Sequence, residues 1–153
     1  MKILVSACLL GENCKYNGGN NYCPKVAEFA QKYEVIPVCP EMEAGMGCPR
    51  IPVEIRNGIL TDREGNNVDA PMRETIRRRL ESLKKEEILC AVLKSRSPTC
   101  GVRQIYDGSF TGRLVDGSGL FAAALQENGY RVIDSEEIGN YLGKEDAICP
   151  VSK

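Results

Sequence analysis

Histidine is absent from all 153 residues. That single absence removes Ser-His-Asp and Cys-His catalysis, zinc deaminase sites and every histidine-ligated metal. Aromatic residues make up only 6% of the chain, too few for the stacking platform of an autonomous RNA binder. Neither sign of charge is in surplus: 20 Lys and Arg stand against 21 Asp and Glu, a net charge of −1. This argues against a broad nucleic-acid face, although a small polyanion could still bind locally. No apolar run reaches membrane-spanning length, and Met1-Lys2-Ile3-Leu4-Val5-Ser6-Ala7-Cys8 offers too short an apolar stretch for a signal peptide. The CxxC spacing is missing too, and with it the zinc ribbon, the thioredoxin-type pair and the bacterial ferredoxin run.

What the chain has in quantity is cysteine, eight in all. Without a leader the chain reads as cytoplasmic, where thiols stay reduced and clustered cysteines more often mean metal or catalysis than disulfide staples. With no histidine, any soft-metal site must be built from thiolates.

The elements alternate. A strand over Ile3 to Ala7 leads through the Gly- and Asn-rich loop Gly11 to Asn21 into a helix over Pro24 to Lys32, and Glu34 to Val38 is a second strand. A long loop follows from Cys39 to Pro52. Val53 to Leu60 has the pattern of a hairpin about Asn57-Gly58, a dipeptide that accepts the positive φ angles of a type I′ turn. Asp69 to Lys85 reads as a helix capped by Asp69, with Pro71 in its first turn and Met72, Ile76, Leu80 and Leu83 on one face. Its Arg77-Arg78-Arg79 run is better read as a solvated face balanced by Glu74, Glu81, Glu86 and Glu87 than as a phosphate site. Ile88 to Leu93 is a third strand. A second hairpin is expected at Tyr106-Asp107-Gly108-Ser109, then a helix from Ser118 to Glu127 and a strand from Tyr130 to Ile133. No linker or repeat divides the chain. The expectation is one Rossmann-like α/β domain over residues 1–153, a mainly parallel sheet flanked by helices with two short hairpins, ending in a tail over 144–153.

Three cysteines stand just past apolar strand runs: Cys8 after the first, Cys39 after the second, and Cys100 after the third and the turn Ser95 to Thr99. Side by side in a parallel sheet they would meet at its carboxyl edge, where open α/β folds place their sites. Three thiolates are one fewer than a closed four-thiolate cage needs, so a metal or iron–sulfur centre there would keep one position open. Cys90 lies inside a strand and reads as a buried small residue, Cys23 and Cys149 as incidental, and Cys14 and Cys48 as reserves in loops beside the site. Gly117-Ser118-Gly119-Leu120-Phe121-Ala122 is a weak match to a dinucleotide fingerprint. Its glycines more simply permit a tight helix entry, though a bare helix N-terminus at Gly117, Ser118 and Gly119 could receive a substrate phosphate.

Several segments taken together carry a resemblance: Val5 to Gly11, Lys15-Tyr16-Asn17-Gly18, Val38-Cys39-Pro40-Glu41, Pro49 to Ile55, Leu93-Lys94 through Ser97-Pro98-Thr99-Cys100-Gly101, and Ile105 to Gly112. In this order they resemble the motifs of the thiouracil desulfurase family, from near Met1 to about Glu136, with departures at Cys48, Arg96 and Thr99. The resemblance implies a [4Fe–4S] enzyme that removes sulfur from a thiolated uracil base, nucleoside or nucleotide. Cys8, Cys39 and Cys100 would hold three irons, leaving the fourth to take the substrate's sulfur and release it as sulfide without net electron transfer. Glu41, two residues beyond Cys39, is the candidate acid or base, and Ser97 would orient water or the base. Tyr16, Arg50 and Lys94 are candidate contacts to the base or a phosphate. A non-catalytic iron–sulfur, sulfide-binding or zinc module is the alternative. Stable nucleic-acid binding and membrane association are not expected.

Overall fold

Near-continuous apolar runs such as Ile3-Leu4-Val5 and Ile88 to Leu93 suit strands covered on both faces, because successive side chains point to opposite sides of the sheet. In the computed structural model, which describes residues 1–141, they do this. Four strands, β1 (Lys2–Ser6), β2 (Glu34–Val38), β5 (Ile88–Leu93) and β8 (Val132–Asp134), form a wholly parallel sheet in the order β2-β1-β5-β8. Ile3, Val5, Cys90 and Val92 face α1 (Pro24–Ala30), packing on Val26, Phe29 and Ala30. The alternate residues Leu4, Ala91 and Leu93 face α3 (Asp69–Leu83) and α4 (Leu120–Glu127), against Met72, Ile76, Phe121 and Leu125. Among the described residues no helix is long and apolar enough to cross a membrane.

The chain runs from β1 outward to β2, then crosses back past β1 to β5 and β8. The direction of winding therefore reverses between β1 and β5. At such a point the loops leaving the two strands diverge to opposite faces and open a crevice beyond their carboxyl ends. The Ser6 hydroxyl accepts the Lys94 amide at 2.9 Å and ties the two strand ends together below that crevice.

Two antiparallel hairpins wall it. β3 (Val53–Arg56) and β4 (Ile59–Asp62) turn at Asn57 and Gly58, with φ of 52° and 78°, the positive values a type I′ turn demands. β6 (Gln104–Tyr106) and β7 (Leu114–Asp116) form the second, but residues 107–113 make a wide loop instead of the tight turn expected at 106–109. Glu54 holds that loop, its Oε1 accepting the amides of Gly108 at 2.9 Å and Phe110 at 3.1 Å.

Other expectations need correction. β1 stops at Ser6 and residues Ala7–Leu10 wind into a 3-10 turn that contains Cys8. The Cys39 to Pro52 stretch includes the short helix α2 (Pro40–Glu43). Asp69 does not cap α3: its Oδ1 accepts the Leu60 amide at 2.9 Å and its Oδ2 pairs with Arg73 at 2.6 Å, joining α3 to β4. In the arginine run, Arg77 and Arg78 bind Glu74 as a solvated face would, while Arg79 reaches Glu43 of α2. Cys90 is fully buried. Cys149 and the expected 144–153 tail lie outside the described residues.

Candidate functional site

The crevice at the carboxyl edge is a cavity of about 510 Å³, and Cys8, Cys39 and Cys100 all line it. Each arrives by a different route. Cys8 comes from the 3-10 turn after β1, and Cys39 directly precedes α2 after β2. Cys100 ends the turn after β5, where Ser97 Oγ accepts the amides of Thr99 at 3.2 Å and Cys100 at 3.0 Å. Ser97 thus has the turn-forming role its place before Pro98 suggests, with its hydroxyl at the cavity wall.

Glu41 enters from the first turn of α2. Its Oε1 accepts two hydrogen bonds from Arg50, from Nε at 2.9 Å and Nη2 at 2.8 Å, and only 12% of the Glu41 and 7% of the Arg50 side chain is exposed. Its Oε2 accepts the Thr99 hydroxyl at 3.3 Å, and Thr99 Oγ1 lies 3.2 Å from Ser97 Oγ. Glu41, Thr99 and Ser97 form one polar chain along the wall. Arg50 also donates from Nη1 to the Gly47 carbonyl at 2.8 Å, so most of its fork is spent on fixing Glu41. Arg50, expected as a contact to the base or a phosphate, lines the cavity while holding the carboxylate.

Lys94 and Tyr16 both line the cavity. Lys94 Nζ donates to the Ser95 carbonyl at 3.0 Å, and burial, followed by the nearby Arg96, lowers its pKa. Tyr16 is exposed at the rim, with Lys15 Nζ 5.9 Å from its ring centre. Across the opening, Arg63 lies 5.9 Å from the ring of Phe110. Sequence reasoning missed Lys15, Arg63 and Thr99. Arg63 is isolated in sequence, and only the docking of the hairpin brings it to the rim.

Gly117, Ser118 and Gly119 are not among the cavity's lining residues. The amides that should have been bare are taken: Gly119 donates to Gly101 O at 2.7 Å, Leu120 to Pro98 O at 3.0 Å, and Phe121 to Thr99 O at 2.8 Å. The idea of a phosphate at this helix start is overturned, because α4 instead clamps the turn that presents Cys100.

Burial raises the pKa of Cys8, where the Asn21 hydrogen bond and Lys94 oppose it, and of Cys39, where Arg50 opposes it. Cys100 is pushed up to about 12, mainly by burial, with Cys8 and Cys39 adding to the shift. As thiolates the three would place like charge around one cavity, and a cationic centre would relieve this. Among the described residues no three Cys, Asp or Glu side chains close on one point as a single ion requires. A sulfur-only donor set spread around a cavity suits a multinuclear cluster, whose ligands sit on separate irons, better than mononuclear zinc.

Residues 3–137 match the family described as 2-thiouracil desulfurase. YbbK, an uncharacterised protein of Bacillus subtilis (strain 168), is 35% identical over 150 residues, spanning 92% of this chain and 99% of its own. The solved structure of a [4Fe-4S]-dependent thiouracil desulfidase, TudS, matches with a TM-score of 0.86 at 28% identity, covering 95% of this chain and 98% of that one.

Proposed function

This chain belongs to the 2-thiouracil desulfurase family, and we propose that it removes sulfur from a thiolated uracil base at a [4Fe–4S] cluster held by Cys8, Cys39 and Cys100. The observation that carries this is the meeting of three cysteines, from three strand ends, in one cavity that Glu41 also lines. A cluster held by these thiolates would supply a Lewis acid for a thiocarbonyl sulfur. The reaction exchanges C=S and water for C=O and hydrogen sulfide, so no electron is transferred.

The protein's own part is to place and activate the water. Arg50 occupies Oε1 of Glu41, and Oε2, which accepts the Thr99 hydroxyl, is the general base, with Ser97 next along the hydroxyl chain. Lys94 lines the cavity and can donate to the ring or its carbonyl. At the rim, Tyr16 and Phe110 offer faces for the base, while Lys15 and Arg63 suit the phosphate of a nucleoside monophosphate. Anaerobically purified protein should be brown and carry about four irons per chain, the stoichiometry of such a centre. It should release sulfide from 2-thiouracil, 4-thiouracil or 4-thiouridine monophosphate. Loaded protein with no turnover on any of them would make it a carrier instead.

A further inference from the structure

Four cysteines, not three, line the cavity. Cys14 is only 6% exposed and lines the cavity, and the Cys39 thiol lies 4.0 Å from its backbone carbonyl. Its loop is held on both sides. The Cys48 thiol lies 3.1 Å from the carbonyls of Asn13 and of Lys15, the residues flanking Cys14, and the Arg50 amide donates to Tyr16 O at 2.7 Å. The segment that fixes Glu41 therefore also aims Cys14 inward. Cys48, the other reserve, is spent on this strapping and is not among the lining residues.

We infer that Cys14 is a fourth, displaceable thiolate donor to the cluster, covering the substrate position until a thiolated base arrives. This rests on the cluster reading above. Full cysteine ligation is the ordinary state of a [4Fe–4S] centre, and here a fourth thiol lines the same cavity. Its function is protective. An iron without a protein ligand is the one most easily lost to oxidants, and a soft thiolate that leaves only for a competing sulfur would guard it between turnovers.

The test needs no turnover. Cys14→Val keeps nearly the same volume and removes the donor. Wild type and variant, loaded anaerobically, are titrated with ferricyanide, which converts a centre with an unprotected iron from [4Fe–4S]²⁺ to [3Fe–4S]⁺ plus Fe²⁺, with one electron going to the oxidant. The wild type should keep about four irons per chain and stay silent in electron paramagnetic resonance. The variant should lose one iron and show the [3Fe–4S]⁺ signal. Equal behaviour of the two, resistant or labile, overturns the role of Cys14, and Cys14→Ser serves the comparison if the valine does not fold. A wild type that binds no cluster, or Cys8→Ser, Cys39→Ser and Cys100→Ser variants that retain full iron, would instead sink the cluster reading itself.

Discussion

Glu41 has one oxygen gripped by Arg50 and the other accepting the Thr99 hydroxyl, and this asymmetry sets what its neighbours should do when altered. Glu41→Gln preserves size and should leave iron loading intact while kcat falls by about 10² to 10⁴, the usual worth of a general acid or base. Loss of iron in this variant would make the residue structural. Thr99→Val removes the bond to Oε2 in nearly the same shape. A hydrogen bond to a charged group is worth about 1.5–3 kcal/mol, so kcat should fall roughly 10- to 100-fold, and Thr99→Ser should restore it. Full activity in Thr99→Val with loss in Thr99→Ser would mean the methyl group, not the hydroxyl, matters. Glu41 was legible because it follows a strand-end cysteine within one turn. The pairing of Arg50 with Glu41 was not legible because a guanidinium's partner is decided by how a loop closes, and residues 41 and 50 meet only after Met42 to Pro49 has doubled back.

At the scale of elements, the contact of α4 with the 97–100 turn is the joint on which Cys100 depends. A Cβ at Gly119 would stand 2.4 Å from the Thr99 carbonyl carbon and 2.8 Å from Pro98 O, both backbone atoms that cannot swing aside. Gly119→Ala should therefore cost about 1–3 kcal/mol, as overpacking does, and lower the iron content by moving Cys100. Gly139→Ala, which meets only the Lys25 side chain at 3.6 Å, is the control and should stay within about 0.5 kcal/mol of wild type. Equal denaturation midpoints for the two would show that the joint yields freely. On α3, hydrogen bonds from Arg77 and then Arg78 lower the pKa of Glu74 to about 2 from an ordinary 4.5. The contribution of this exposed group is present above pH 4.5 and lost as pH falls through 2. The stability gap between wild type and Glu74→Gln should close over that window and shrink in high salt. A gap unchanged at low pH would contradict the assignment. Strands and long helices were legible because their periods repeat. The four residues of α2 are too few to show one, and the carbonyls that occupy α4's amides come from a segment roughly twenty residues earlier.

Across the whole molecule, positive charge is spread and neutralised rather than gathered. Arg73 pairs with Asp69, Arg77 and Arg78 with Glu74, Arg79 with Glu43, Arg96 with Glu136 and Arg103 with Glu137. Lys15 and Arg63, in contrast, lie over aromatic rings at the cavity rim. The near balance of charge was legible in the sequence, whereas the placement of two cations at the opening comes only from the tertiary fold. Such a surface suits one phosphate group, not a long backbone, because each neutralised phosphate on a single strand adds roughly 0.7 to the slope of log affinity against log salt. Arg63→Gln together with Lys15→Gln should raise KM for 4-thiouridine monophosphate and leave 2-thiouracil nearly unaffected. For the unmodified protein, kcat/KM should favour the monophosphate over thiolated tRNA and respond only weakly to a rise in salt. Efficient tRNA turnover that collapses as salt increases would reverse this preference, since it would require many phosphate contacts on a surface most of whose arginines are already paired.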